Sequence, residues 1–167
     1  MDEQAKKTAL RMIPYGLYVL TAENKEGAVA AATVNWVTQT SFAPPLVAVG
    51  VKKDSGSHAL IQQAQVFALN MLGKDQAELA YKFFKPHERE GNTIAGEAFE
   101  PSPLGAPILQ RTPAWVECKL SQVVEIGDHS IFVGEVSEAA IRSEITGRPD
   151  DAVLWLKDLG EKVFYGG

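Results

Sequence analysis

The apolar positions of this chain change period along its length, and the changes mark out its elements. Ala5, Ala9, Leu10 and Ile13 recur at helical spacing and Pro14 follows, which predicts a short helix over residues 2–13. Tyr15 to Ala22 is rich in aromatic and β-branched residues and predicts a strand, closed by the turn ENKEG at 23–27. Residues 28–41 read as one long strand or a bent pair, in which Ala30, Ala31 and Ala32 leave room for a close approach to the backbone. Pro44 and Pro45 end that pattern, because neither can donate to a ladder. Leu46–Val51 predicts a short buried strand, KKDSGS (52–57) a polar loop, and residues 58–64 one or two helical turns. Val66–Leu72 predicts another strand, and Asp75 and Glu78 are spaced like a capping box for a helix over 76–84.

Residues 85–114 are rich in Gly and Pro and carry little periodicity, which predicts a long ordered excursion. Trp115–Ile126 and Ser130–Ile141 then predict a hairpin turned at Gly127-Asp128-His129, and a last strand is expected near 161–165. Many strands, short helices and close turns predict a mainly β fold: a closed antiparallel barrel with short peripheral helices, forming a single domain over 1–167. A parallel sheet would need a regular alternation of strand and helix, which this pattern lacks.

Composition narrows the function. An apolar content of 46% in 167 residues suits one buried core, and a net charge of −5 argues against nucleic acid as a partner. Cys118 is the lone cysteine, which excludes an internal disulfide, a Cys-rich metal site and an iron–sulfur cluster, and fits a reducing cytoplasm. The start, MDEQAKKTAL, lacks the apolar core of a signal peptide, and no stretch is long and apolar enough to span a bilayer, so no membrane association is expected. Hydrolase, zinc-protease, Walker A and dinucleotide-binding motifs are missing. His58, His87 and His129 sit in unlike contexts, so no metal site is expected.

Two segments carry candidate chemistry. KKDSGS offers two lysines, two serine hydroxyls and a glycine directly before a helix N-terminus, where free N–H groups and the helix dipole favour a phosphate. The same loop also reads as a solvated turn whose Ser55 or Ser57 caps the helix. NWVTQTS (35–41) interleaves amides and hydroxyls with Trp36 and Val37, which suits either a flat polar heterocycle or an ordinary edge strand.

Four segments, in order, resemble the flavin reductase-like, FMN-binding split-barrel family: NWVTQTSFAPPLVAVGV (35–51), SGSHALI (55–61), VFALNML with LAYKFF (66–84), and VECKL followed by GDHSIFVGEV (116–136). The family includes flavin reductases, flavoredoxins and the reductase modules fused to flavodiiron proteins and rubredoxins. The resemblance implies a homodimer with FMN, or alternatively FAD, near the subunit interface. It also implies hydride transfer from NAD(P)H and onward passage of electrons to free flavin, a metal ion or a redox protein. By that resemblance Asn35, Trp36, Val37, Thr38 and Gln39, assisted by Ser41, line the isoalloxazine and ribityl chain. Lys53, Ser55, Ser57 and His58 surround the phosphate, and Lys85 adds positive charge. His129 corresponds to the histidine at the flavin's open face, where the nicotinamide docks.

Two departures matter. Ala31-Ala32-Thr33 stands where many members carry Gly-Phe-Thr, and Thr38-Gln39 stands where many carry serines. The second leans towards flavoredoxins and the flavodiiron-fused modules, so an electron carrier without nicotinamide activity is the alternative reading. A flavin-binding protein without turnover is a third. No fused redox segment is visible, so the electron partner is expected to be a separate protein.

Overall fold

A computed structural model describes residues 1–167. Helix α1 (Glu3–Arg11) starts at Asp2, whose carboxylate accepts from the Ala5 amide at 2.6 Å. Strands β1 (Tyr18–Glu23), β2 (Val29–Val34), β3 (Val37–Phe42) and β4 (Pro45–Lys52) follow. Then come α2 (Gly56–Ala64), β5 (Val66–Met71), α3 (Ala77–Lys82) and four short strands, β6 (Arg89–Glu90), β7 (Thr93–Ile94), β8 (Glu97–Pro101) and β9 (Pro107–Leu109). The long hairpin β10 (Ala114–Val124) and β11 (His129–Ile141) precedes α4 (Pro149–Ala152) and a 3-10 turn at Leu156–Leu159.

Seven strands form one sheet in the order β2-β1-β5-β10-β11-β4-β3, with every neighbouring pair antiparallel. The edge strands β2 and β3 are joined by only Asn35 and Trp36. Each residue of chain spans at most about 3.6 Å, so the two edges must lie close together and the sheet must curl into a barrel. The seam is tied by the Gly50 amide, which donates to the Trp36 carbonyl at 2.8 Å. Residues 28–41 are therefore the bent pair, broken at Asn35-Trp36.

Period-2 alternation sorts the side chains into two cores. Leu20, Ala22, Val49, Val51, Phe67, Leu69, Cys118 and Phe132 fill the barrel, closed by Ile61 of α2. Leu17, Val19, Leu72, Leu79, Phe83, Ile94, Phe99, Leu109 and Leu154 pack outside it, beneath α3 and the excursion. Both faces of β1 and β5 are thus buried.

Three local expectations are corrected. The excursion 85–114 contains a four-stranded sheet, β6-β7-β8-β9. It is held to the barrel by buried polar bonds: Thr21 Oγ1 donates to the Pro107 carbonyl at 2.5 Å, and the Leu109 amide donates to Asn70 Oδ1 at 2.8 Å. Asp75 does not cap α3. Gln76 is the N-cap, and its side chain instead accepts from the Gly73 amide at 2.9 Å and donates to the Arg111 carbonyl at 2.7 Å. Residues 161–165 form no strand; they run as irregular chain over the site described below.

Burial pushes the Cys118 thiol up to about 12, with the neighbouring Glu117 carboxylate adding to the shift. At neutral pH it is an inert thiol inside the barrel. Ellman's reagent should therefore leave the native protein unlabelled over an hour and label one thiol per chain in denaturant; rapid labelling of the native protein would contradict this packing.

Candidate functional site

A cavity of about 450 Å³ opens where the barrel seam meets α2. Its apolar walls come from Leu17, Ala32, Val34, Val51, Phe83, Phe84 and Leu156. Its polar end comes from Lys52, Ser55 and Ser57, and Asn35, His129 and Tyr165 complete the rim. Apolar walls with a few convergent polar groups are the usual build of a cofactor site.

The polar end follows from the chain's local rules. β4 runs out at Lys52, and Ser55 caps α2: its hydroxyl accepts from the His58 amide at 3.2 Å and donates to the Lys52 carbonyl at 2.7 Å. The helix itself leaves the first-turn amides of Gly56 and Ser57 without intrahelical acceptors. Lys52 Nζ stands 3.1 Å from Asp54 Oδ2, an exposed pair that holds little energy and can re-aim. A phosphate placed here would meet a cation, hydroxyls and the positive end of a nine-residue helix.

The other end is aromatic. The Trp36 ring lies across Gly50, where an added Cβ would come within 3.1 Å of it. Trp36 Nε1 is buried without a hydrogen-bond partner. The His129 ring stands 4.6 Å from Trp36, centroid to centroid. Asp128 Oδ1 lies 2.9 Å from His129 Nδ1, and the Tyr165 hydroxyl lies 2.7 Å from Nε2. That contact holds the Asp128 carboxyl below its ordinary range, so the carboxylate accepts the Nδ1 proton. In the neutral imidazole, Nε2 is then left to accept from the Tyr165 hydroxyl.

The expected site residues divide. Asn35, Ser55, Ser57 and His129 come together on this cavity, with Trp36 against its rim. Val37, Thr38 and Gln39 line a second cavity of about 450 Å³ with Tyr18, Leu46 and Val136. Ser41 lies further along the β3 edge. Lys53 turns away, its ammonium donating to the Glu125 carbonyl at 3.2 Å, and the next residue back, Lys52, faces the cavity. His58 is buried beneath the loop, 2.8 Å from Ser130 Oγ and edge-on to Phe132. Lys85 is exposed and outside the cavity lining. Lys52 belongs to the KKDSGS loop read as an anion site, but the family resemblance pointed to Lys53 in its place. Phe84 and Tyr165 are among the lining residues to which sequence reasoning gave no role.

Comparison with known proteins agrees with this build. The flavin reductase like domain matches residues 10–158. The flavin reductase of Pseudomonas putida is 31% identical over 157 residues, covering 94% of this chain and 88% of that protein. The stachydrine N-demethylase reductase subunit of Rhizobium meliloti is 33% identical over 136 residues, covering 81% of this chain, which spans only 58% of that protein's length. The styrene monooxygenase flavin reductase of Pseudomonas putida S12 superposes with a TM-score of 0.69 at 32% identity, over 81% of this chain and 85% of that one. No helix is long and apolar enough to cross a membrane. With more than four-fifths of its length matched, the chain belongs to the flavin reductase-like domain family.

Proposed function

We propose that this protein is an NAD(P)H-dependent flavin reductase that holds FMN in the seam cavity. One observation carries the reading: in a chain of this family, an apolar slot and a cationic, hydroxyl-rich helix N-terminus share one cavity. Lys52, Ser55 and Ser57 would hold the phosphate. Leu17, Phe83 and Leu156 would exclude water from the ring system. Asn35 lines the cavity, and the buried, unpartnered Trp36 Nε1 lies beneath Gly166, where it would meet a ligand carbonyl only when that segment is displaced. Bound flavin supplies hydride acceptance from the nicotinamide and onward transfer of electrons. A single helix N-terminus with two serine hydroxyls suits one terminal phosphate, which favours FMN over FAD.

The reading extends to a single-domain, cytoplasmic homodimer. β3 is an open sheet edge, and Phe42 at its end is 91% exposed, which favours a second copy there and would put Val37–Gln39 and Ser41 at a shared surface. The electrons would pass to free flavin, a metal ion or a separate redox protein. The names of two relatives, a demethylase reductase subunit and a monooxygenase flavin reductase, favour a separate oxygenase-type partner.

The test is an absorbance spectrum followed by anaerobic addition of NADH and NADPH. Flavin bands that bleach within seconds are expected. A yellow protein that stays oxidised with both would replace the reductase by an electron carrier. A colourless protein that takes up no FMN would end the flavin reading.

A further inference from the structure

We propose that Tyr165 is a gate residue of the nicotinamide seat, and that the segment Val163–Gly167 lifts to admit the hydride donor. This rests on the reading of His129 as the nicotinamide contact. The Tyr165 ring packs 5.3 Å from Trp36 and 5.9 Å from His129, and its hydroxyl takes the Nε2 lone pair of His129. A nicotinamide is a flat aromatic ring bearing a carboxamide whose N–H groups donate. It would need the same aromatic surface and the same acceptor. Tyr165 and the nicotinamide therefore compete for one place.

The closed segment is lightly held. Beyond the Val163 amide, which donates to Gly160 at 3.1 Å, residues 163–167 make no backbone–backbone hydrogen bond. Phe164 and Tyr165 are about half exposed. The remaining ties are side-chain contacts. Asn35 Nδ2 donates to the Tyr165 carbonyl at 3.2 Å, Arg11 Nε donates to the Gly166 carbonyl at 3.2 Å, and the Arg11 guanidinium lies 4.2 Å over the Phe164 ring. Gly166 lies against Trp36 Nε1, so closure also covers the N–H that has no partner. A segment with few buried contacts and an unsatisfied donor beneath it opens locally. Because the donor binds only the open form, its apparent affinity is reduced by the open fraction.

Arg11 provides the cleanest test, because it anchors the segment from α1 and lies outside the cavity lining. In the FMN-loaded protein, Arg11→Gln and Tyr165→Phe should each tighten NAD⁺ binding by about fivefold, the factor expected for one net hydrogen bond. The KM for the preferred nicotinamide should fall in parallel, and in Arg11→Gln, which lies outside the cavity, the maximal rate of flavin reduction and the FMN affinity should be unchanged. Titration of the ¹⁵N-labelled holoprotein with NAD⁺ should move the amides of 164–167 towards random-coil positions. Unchanged or weaker NAD⁺ binding in both variants, or amides that stay put at saturation, would overturn the gate. So would tighter FMN binding without tighter NAD⁺ binding, since the segment would then cover the flavin. His129→Ala separates the two readings. Reduction kinetics unaltered in that variant would remove His129 as the nicotinamide contact. Slowed reduction with inert Arg11 and Tyr165 variants would remove only the gate.

Discussion

Ser57→Asp is expected to weaken FMN binding by about 100-fold or more while leaving riboflavin affinity within about threefold of the original protein. Ser57 is the second residue of α2, 7% exposed, and lines the polar end of the cavity. In the proposed seat its hydroxyl donates to the phosphate. A hydrogen bond to a charged group contributes about 1.5–3 kcal/mol, and a carboxylate in its place loses that bond and adds like-charge repulsion within a few ångströms. The same carboxylate suits the helix, because negative charge in the first turn complements the macrodipole by about 0.3–1 kcal/mol. Folding should therefore be intact or slightly firmer, which separates a binding defect from a folding defect. Riboflavin has the same ring system and no phosphate, so it reports the rest of the site. Fluorescence quenching titrations of the apoprotein with both flavins make the comparison. Equal losses for the two ligands would mean that the α2 N-terminus is not a phosphate seat, and no loss for either would remove Ser57 from the site.

The barrel was legible because its strands are long and their alternation is strong. β10 and β11 run 11 and 13 residues, and their turn is marked by Gly127-Asp128. The strands β6–β9 run only two to five residues, too short for period 2 to register, and side chains such as Asn70 and Thr21 on other strands hold them in place. Val163-Phe164-Tyr165 has strand-like residues, yet each finds a separate partner: the outer core, Arg11 and His129. No ladder organises them. The phosphate loop was legible as a composition, but not in its register. Which lysine faces the cavity depends on where β4 stops alternating, and a shift of one residue exchanges Lys52 for Lys53. The contact of Tyr165 with His129 left no signal, because the partner is 36 residues away and the contact exists only in the folded chain.

Gly134→Ala should destabilise the apoprotein by about 2–3 kcal/mol, a large effect for one methyl group. Gly134 sits on β11 opposite Leu120, against the ring of Phe67. An added Cβ would lie 2.6 Å from Phe67 Cζ and 2.7 Å from Cys118 Cβ. Phe67 is fully buried and cannot swing away, and Cys118 is paired beside it on β10. The glycine is therefore required by volume, not by backbone conformation, since its φ is not in the left-handed range. That distinction is testable through a second site. Phe67→Leu alone leaves a partial cavity and should cost about 1–2 kcal/mol. If volume is the reason for the glycine, adding Gly134→Ala to Phe67→Leu should cost less than about 1 kcal/mol more, because the new methyl enters the vacated space. The coupling between the two sites would then be favourable by about 1–2 kcal/mol. Urea unfolding of the four apoproteins closes the cycle, with apoprotein chosen because bound flavin would mix binding into the transition. Strict additivity would mean that Gly134 is needed to clear Cys118 Cβ or for its own strand, and not for the ring of Phe67. The fit of that ring matters to the site as well: Phe67, Val49 and Val51 share one core, and Val51 is the barrel residue that forms the cavity wall beside Lys52.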